Sequence, residues 1–359
     1  MKIGLISYNL KSYNNGQSRF LINIAKGLRI LGNEVIIYSL YIDDVIKSTL
    51  TSSGIKIYFS NMQLGKTFNV KILTYDEKLS IRLAEVIKNS EPSEVYIVLA
   101  DEAIKIVNYI KNEKTVYITQ GDLSLLFLNS EFKNYNRFGV AYLERKFVSQ
   151  IKSHAKVAKK FDAVFANSKF TSNIMAFLYG FPINGVVYPP VDQSIFKYEN
   201  NDETKNKYAL AIVRNEIDPI YRITSRLAKN IPLKIIGGGN VKGAKNLGLV
   251  QDNELPQLYR QASFVISPNT LEFYGYQIVE SMSCSTPTIA YNNGGAPELI
   301  YDEINGWLSN TEEEFIRRSI KLFNDDYPVE IRKNCDVYSK KYSILSSSQT
   351  LISRINDIS

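Results

Sequence analysis

The sequence predicts an α/β chain of two Rossmann-like, doubly wound domains facing a central cleft, and three observations carry that prediction. Short β-branched apolar runs alternate with longer amphipathic segments along nearly the whole chain, the pattern of a parallel sheet with helices on both faces. The alternation breaks once, at Pro189-Pro190, and then restarts. With 359 residues, 45% of them hydrophobic and 22% charged, the chain has material for two packed cores of ~100–200 residues each, not for a disordered polymer.

In the first half, strands are expected at residues 2–8, 34–39, 55–59, 70–74, 94–99, 114–119, 162–166 and 185–188. Helical patterns such as 18–31 and 77–89 lie between most of them. A proline pair continues neither regular element, so Pro189-Pro190 and the polar residues through Lys207 read as a linker. A second set of strands is expected at 208–213, 232–237, 246–250, 263–268 and 286–290. The expected domains are residues 1–189 and 190–340, with a last helix in 341–359 packing back on the first. Ligands of such folds sit at the carboxyl ends of strands, which is where chemistry should be sought.

Composition excludes several classes of function. No apolar run approaches the ~18 residues that span a bilayer, and the early run Ile3–Ile6 is too short for a signal peptide. The expectation is therefore a cytoplasmic protein. Cys284 and Cys335 form no CxxC pair, so neither a disulfide framework nor a zinc site is indicated. The single histidine, His154, rules out a histidine-rich metal site. Lying among lysines, it reads as an ordinary exposed side chain.

Charge is placed unevenly. Residues 1–189 carry 24 Lys+Arg against 15 Asp+Glu, whereas the remainder carries 19 against 21. The densest stretch, 133–160, has eight basic residues opposed only by Glu144, with Tyr142, Leu143, Phe147, Val148, Ile151 and Val157 interleaved at helical spacing. It reads either as an amphipathic core helix with a solvated basic face or as a docking face for anionic membrane or an acidic acceptor. No stacking or groove-reading motif accompanies the charge, so nucleic acid is not an expected partner.

The chemistry concentrates in residues 269–280, Asn-Thr-Leu-Glu-Phe-Tyr-Gly-Tyr-Gln-Ile-Val-Glu. A strand ends at Pro268, a loop carries Glu272, and a helix begins near Gly275. Glu280 falls in its second turn, flanked by Ile278, Val279 and Met282. A carboxylate beside an apolar face is costly unless hydrogen-bonded. A vicinal diol suits it, because an ionised carboxylate only accepts and can take both hydroxyls. Gly275 lets backbone approach a ligand closely, and the N–H groups of a helix start favour phosphate. Glu272, before that turn, points at whatever hangs from the phosphate.

The order Glu272, Phe-Tyr-Gly, Glu280, Thr286-Pro287, Asn293-Gly294-Gly295-Ala296-Pro297-Glu298-Leu299 and Asn305-Gly306 resembles the donor-binding half of glycosyltransferase family 4. Residues 233–239 (Leu-Lys-Ile-Ile-Gly-Gly-Gly), 247–250 (Leu-Gly-Leu-Val) and 254–259 (Glu-Leu-Pro-Gln-Leu-Tyr) resemble its strand-plus-glycine element, nucleobase-side loop and helix. Asn15-Gly16, 161–168 and 187–192 match more loosely in the first half. The resemblance implies a GT-B fold and retaining transfer from a nucleoside diphosphate sugar, with no cofactor and no bound metal. The first domain would take a glycan, lipid-linked or protein-linked acceptor. By position, Glu280 would hold the ribose diol and Glu272 the donor sugar. The Tyr274–Gly275 backbone would lie against sugar and diphosphate, Val250 would border the base, and Gly237 and Gly16 would let loops approach the nucleotide.

This chain departs from the family in two places. An arginine and, five residues on, a lysine usually meet the diphosphate; Arg214 stands in the arginine's place, but the lysine's place holds Pro219. Arg222 is the nearest cation, and such cations offset charge growing on a leaving diphosphate. Many members also have a histidine after the strand ending at Thr119, where this chain has Gln120-Gly121-Asp122. Asp122 or Gln120 then serves as the acceptor-side polar group. Two other readings stand beside transfer. One is a nucleotide-sugar-binding protein without turnover; the other, a nicotinamide oxidoreductase, is disfavoured because Gly237-Gly238-Gly239 is not a GxGxxG.

Overall fold

The computed structural model describes residues 1–11, 16–60, 62, 77–99, 101–111, 113–121, 149, 151–199, 207–213, 219–251, 253–269 and 271–358. The expected strand at 70–74 lies outside the described residues. The chain divides into two compact units, Met1–Pro190 with Ile344–Ser359, and Val191–Ser343.

The first unit is built on strands β1 (Lys2–Ile6), β3 (Glu34–Ser39), β5 (Lys56–Phe59), β6 (Val95–Val98), β7 (Lys114–Thr119), β8 (Ala163–Ala166) and β9 (Gly185–Val186). They form one sheet in the order β5-β3-β1-β6-β7-β8-β9. A separate pair joins β2 (Asn9–Leu10) to β4 (Tyr41–Ile42); its two-residue strands are too short for a sequence pattern. All these pairings are parallel, as the strand–helix alternation predicts. Sheets covered on both faces read as continuous apolar runs, and β6 and β8 are buried at every residue.

The chain returns to this unit in the helix Ile344–Asn356, which lies against Gly16–Ile30. The approach is close at Gly27, where a Cβ would stand 2.7 Å from the Ile344 carbonyl oxygen. Arg354 Nε donates to the Val186 carbonyl at 3.1 Å, and Lys114 Nζ to that of Ile358 at 2.7 Å.

The structure corrects the reading of His154. Residues 151–158 are helical, but His154 is 1% exposed. Tyr117 donates its only hydroxyl proton to Asp101, so the 2.9 Å contact with His154 Nε2 needs the ring nitrogen as donor. Val157 and Ala158 are buried in the same core, while Lys152, Lys156, Lys159 and Lys160 face solvent. The described end of the basic stretch thus turns its apolar residues inward; residues 133–148 lie outside the described residues.

Burial pushes the His154 ring down to about 3. The unfolded ring titrates near ~6.5, so it binds the proton first. Stability from the neutral ring is therefore complete above that value and is lost as pH falls through it towards 3. The loss should reach ~2 kcal/mol by pH ~5. His154→Gln should flatten the dependence of the melting temperature on pH between 6.5 and 4.5. An unchanged slope would mean that the ring is not buried neutral.

The second unit contains β10 (Ala209–Ile212), β11 (Leu233–Ile236), β12 (Lys245–Gly248), β13 (Phe264–Ser267), β14 (Thr288–Tyr291) and β15 (Gly306–Ser309), in the order β12-β11-β10-β13-β14-β15. Every pairing is parallel. β15, Gly-Trp-Leu-Ser, escaped the sequence reading because it has no β-branched residue. Numbered within the unit, the order is 3-2-1-4-5-6, which reverses direction between β10 and β13. Their carboxyl ends flank the crevice where doubly wound sheets bind ligands.

Candidate active site at the carboxyl edge of the second sheet

The loop after β13 carries Glu272, whose Oε2 accepts from Asn269 Nδ2 at 2.8 Å. The backbone around it is clamped by the turn after β14. Gly295 N–H donates to the Glu272 carbonyl at 2.7 Å, and Gly294 adopts φ +62°. A Cβ on Gly294 would stand 2.4 Å from that carbonyl oxygen, and one on Gly295 2.7 Å from the Phe273 carbonyl oxygen. Backbone cannot yield there as a flexible side chain would. Gly294→Ala should therefore displace Glu272 and add a left-handed penalty of ~1–2 kcal/mol. A loss of turnover with modest loss of melting temperature is expected; full activity would show that the clamp does not set Glu272.

Gly275, at φ +106°, ends this loop and caps the helix Tyr276–Ser283 without a side-chain hydrogen bond. The first turn of the helix carries no acidic residue, which leaves its positive end open to an anion. Gln277 Nε2 donates to Ser267 Oγ, tying that turn to β13. Tyr274 is 3% exposed, with its ring against Tyr276 and Tyr342 at 5.3 and 6.4 Å. Its side chain is packing, so any ligand contact falls to its backbone.

Glu280 is 2% exposed, and its Oε2 accepts from Tyr259 OH at 3.1 Å. Tyr259 comes from the helix Leu255–Gln261, and its carbonyl accepts from Thr286 Oγ1 at 2.7 Å. Arg332 in turn donates to Thr286 Oγ1 at 3.3 Å and to the Ser285 carbonyl at 3.1 Å. A layer of side chains thus orients Glu280 before any ligand arrives. Tyr259 and Asn269 both stand inside motifs legible in the sequence, but nothing local assigns either a role.

On the other side of the crevice, Gly237 at φ +110° donates its N–H to the Gly248 carbonyl at 2.8 Å, and Gly239 to that of Val213 at 3.0 Å. These bonds join the glycine loop to the ends of β10 and β12. Val250 follows, half-buried, beside the 87% exposed Leu249. Arg214 and Asp122 lie outside the described residues. Gly16 is the exposed first residue of the helix Gly16–Ile30 in the first unit. In that unit Glu102 follows β6, and burial raises its carboxyl while a bond from Gln17 opposes the shift. Sequence reading gave Glu102 no role.

Arg222 does not stand as a free cation. It lies in the first turn of the helix Pro219–Leu227, and its guanidinium bonds Glu312. Arg226 Nη1 holds the other oxygen of Glu312 at 2.5 Å.

The chain is similar to known proteins. Residues 221–342 match the family of glycosyl transferases group 1, a stretch containing Arg222, Glu272, Glu280 and the Gly294-Gly295 turn. A 110-residue segment is 33% identical to an uncharacterised glycosyltransferase of Methanocaldococcus jannaschii, covering 29% of this chain and 30% of that protein. A 171-residue segment is 28% identical to a probable sucrose-phosphate synthase of Thermosipho melanesiensis, 40% of each. The matches thus span less than half of either curated relative.

Whole-chain likeness is structural. Anabaena HepE, crystallised with UDP and glucose, superposes with a TM-score of 0.72 at 18% identity over 99% of both chains. Sucrose-phosphate synthase of Thermosynechococcus elongatus gives 0.74 at 11% identity, over 98% of this chain and 97% of that one. The fold is GT-B, the two-unit α/β architecture of many sugar transferases.

Proposed function

We propose that this chain is a glycosyltransferase: it moves a sugar from a nucleoside diphosphate sugar held by Val191–Ser343 to an acceptor, with retention of anomeric configuration. The acceptor classes are a glycan, a lipid-linked group or a protein. One observation carries the reading. Glu272 and Glu280, eight residues apart, are held at the switch point of a doubly wound sheet inside the segment that matches glycosyl transferases group 1.

Glu280 accepts from the ribose hydroxyls, and Val250 borders the base. The Tyr274–Gly275 backbone and the helix start beyond it meet the diphosphate. Glu272 contacts the sugar and offsets positive charge as it develops at the anomeric carbon. The bond from that carbon to the diphosphate oxygen breaks, and the acceptor oxygen bonds on the same face. The acceptor's proton passes to the leaving diphosphate, so no histidine base is needed. Arg214, Arg222 and Asp122 complete the set as diphosphate and acceptor-side groups. No metal is assigned to the step, so turnover should persist in excess chelator.

The test is release of nucleoside diphosphate from a panel of UDP-, GDP- and ADP-sugars with sugar acceptors, in chelator, followed by NMR of the product anomer. An inverted product overturns the mechanism. Specific nucleotide binding with no release favours the alternative, a nucleotide-sugar-binding protein without turnover. The engagement of Arg222 by Glu312 is the observation in that alternative's favour.

Peripheral contact with anionic membrane rests on Lys152, Lys156, Lys159 and Lys160, since Val157 and Ala158 are buried. Each lysine contributes ~1 kcal/mol near such a surface. Weak co-sedimentation with anionic vesicles, abolished by high salt and by neutralising all four lysines, is expected. No binding at low salt would end the membrane reading.

A further inference from the structure

We infer that Glu312 competes with the donor diphosphate for Arg222, so that this ion pair sets how tightly the second unit holds its nucleotide. The inference rests on the reading of that unit as the donor site. Glu312 is the first residue of the helix Glu312–Asp325. Glutamates at a helix start are ordinary companions of the helix dipole, and Glu313 beside it behaves as one, with 78% of its side chain exposed. Glu312 differs. Its side chain is only 16% exposed, and each oxygen meets a different arginine, Arg222 and Arg226, four residues apart on one helix face.

The cluster lies at the same edge as Glu272. Tyr291, the last residue of β14, has its hydroxyl pushed up chiefly by burial, with Glu312 raising it further and Arg222 opposing, and its ring packs on Phe315, on the helix that Glu312 opens, at 5.2 Å. The next residue, Asn292, donates its N–H to the Ser309 carbonyl at 2.9 Å and its Nδ2 to Asn310 at 3.1 Å. Two residues further stands Gly294, which lies tight against the Glu272 backbone, and then Gly295, whose N–H donates to the Glu272 carbonyl.

Arg222 is also the partner that can leave. Its side chain is 72% exposed, and an ion pair so open to water is weak. A diphosphate offers the guanidinium two oxygens and more charge than one carboxylate. Arg226, 46% exposed and also 3.8 Å from Glu313, stays to neutralise Glu312. The arrangement keeps a cation near the site, satisfied when the site is empty and transferable when it is filled.

The test is calorimetric titration with UDP, with GDP and ADP as further probes, on the parent, Glu312→Gln, Glu313→Gln, Arg222→Met and the Glu312→Gln/Arg222→Met double variant. Removing one competing charge near a diphosphate should tighten Kd about five-fold in Glu312→Gln, more so at low salt than at high. Glu313→Gln removes the same charge nearby and should change little. Arg222→Met should weaken binding, and the gain from Glu312→Gln should vanish in its presence. An unchanged Kd in Glu312→Gln, an equal gain in Glu313→Gln, or a gain that survives in the double variant overturns the inference while the donor site stands. Failure of the parent to bind any nucleoside diphosphate overturns both. Melting temperatures of all variants identify any loss of affinity caused by unfolding.

Discussion

Glu272→Gln should lower turnover by ~100-fold or more, about 3 kcal/mol of transition-state stabilisation, while nucleoside diphosphate affinity stays within ~2-fold. The amide keeps the shape of the side chain and can still accept from Asn269 Nδ2, which lies 2.8 Å from Glu272 Oε2. What it loses is the negative charge, and that charge matters only as the anomeric carbon becomes positive. The effect should therefore fall on kcat and on kcat/KM alike, the signature of an interaction made in the transition state. Turnover within about threefold of the parent, a difference under ~1 kcal/mol, would remove Glu272 from the chemistry.

Glu280→Ala should act on the other quantity. It removes the proposed acceptor of the ribose hydroxyls, and charge-assisted bonds of that kind contribute ~1.5–3 kcal/mol. Nucleoside diphosphate affinity should then fall ~10–100-fold. The variant also leaves Tyr259 OH without the carboxylate it now meets at 3.1 Å, at a cost of ~1–3 kcal/mol in stability. Tyr259→Phe separates the two effects: it removes the donor that orients Glu280 but keeps the carboxylate, so affinity should fall only a few-fold. Unchanged affinity in Glu280→Ala would sink the ribose role.

What could be read from the sequence depended on how far apart the interacting residues lie in it. Strands such as β6 and β13 are buried at every residue because both sheet faces are covered, and that leaves a plain local run of apolar residues, broken in β13 only by Ser267. The positive φ that calls for glycine at 275 and 294 is local too, whereas the tight fit at 294 is set by the Glu272 backbone from an earlier loop. Lysines two residues either side of His154 suggest solvent, whereas the fold buries the ring. On a helix, Lys152 and Lys156 face away from His154, whereas Val157 and Ala158, at i+3 and i+4, share its face. Its partner Tyr117 comes from strand β7, 37 residues away, with no signal in the chain.

The site shows the same division. Glu272 and Glu280 stand out through the motif order that resembles glycosyltransferase family 4, but the orientation of Glu280 comes from Tyr259, 21 residues earlier. Arg222 reads as an available cation, because the carboxylate that engages it lies 90 residues on. Residue types and local turns are therefore legible, whereas the pairings that set a charged group's availability are made by the fold.

Hydrogen exchange with and without the nucleotide sugar that the turnover panel selects tests the central claim most directly. Slower exchange is predicted in peptides covering 237–239, 248–251, 271–283 and 292–296, and the slowing should be lost in Glu280→Ala at the same ligand concentration. Protection absent from these four segments at a saturating ligand concentration, or confined to Met1–Pro190, would contradict the assignment of the second unit as the donor site.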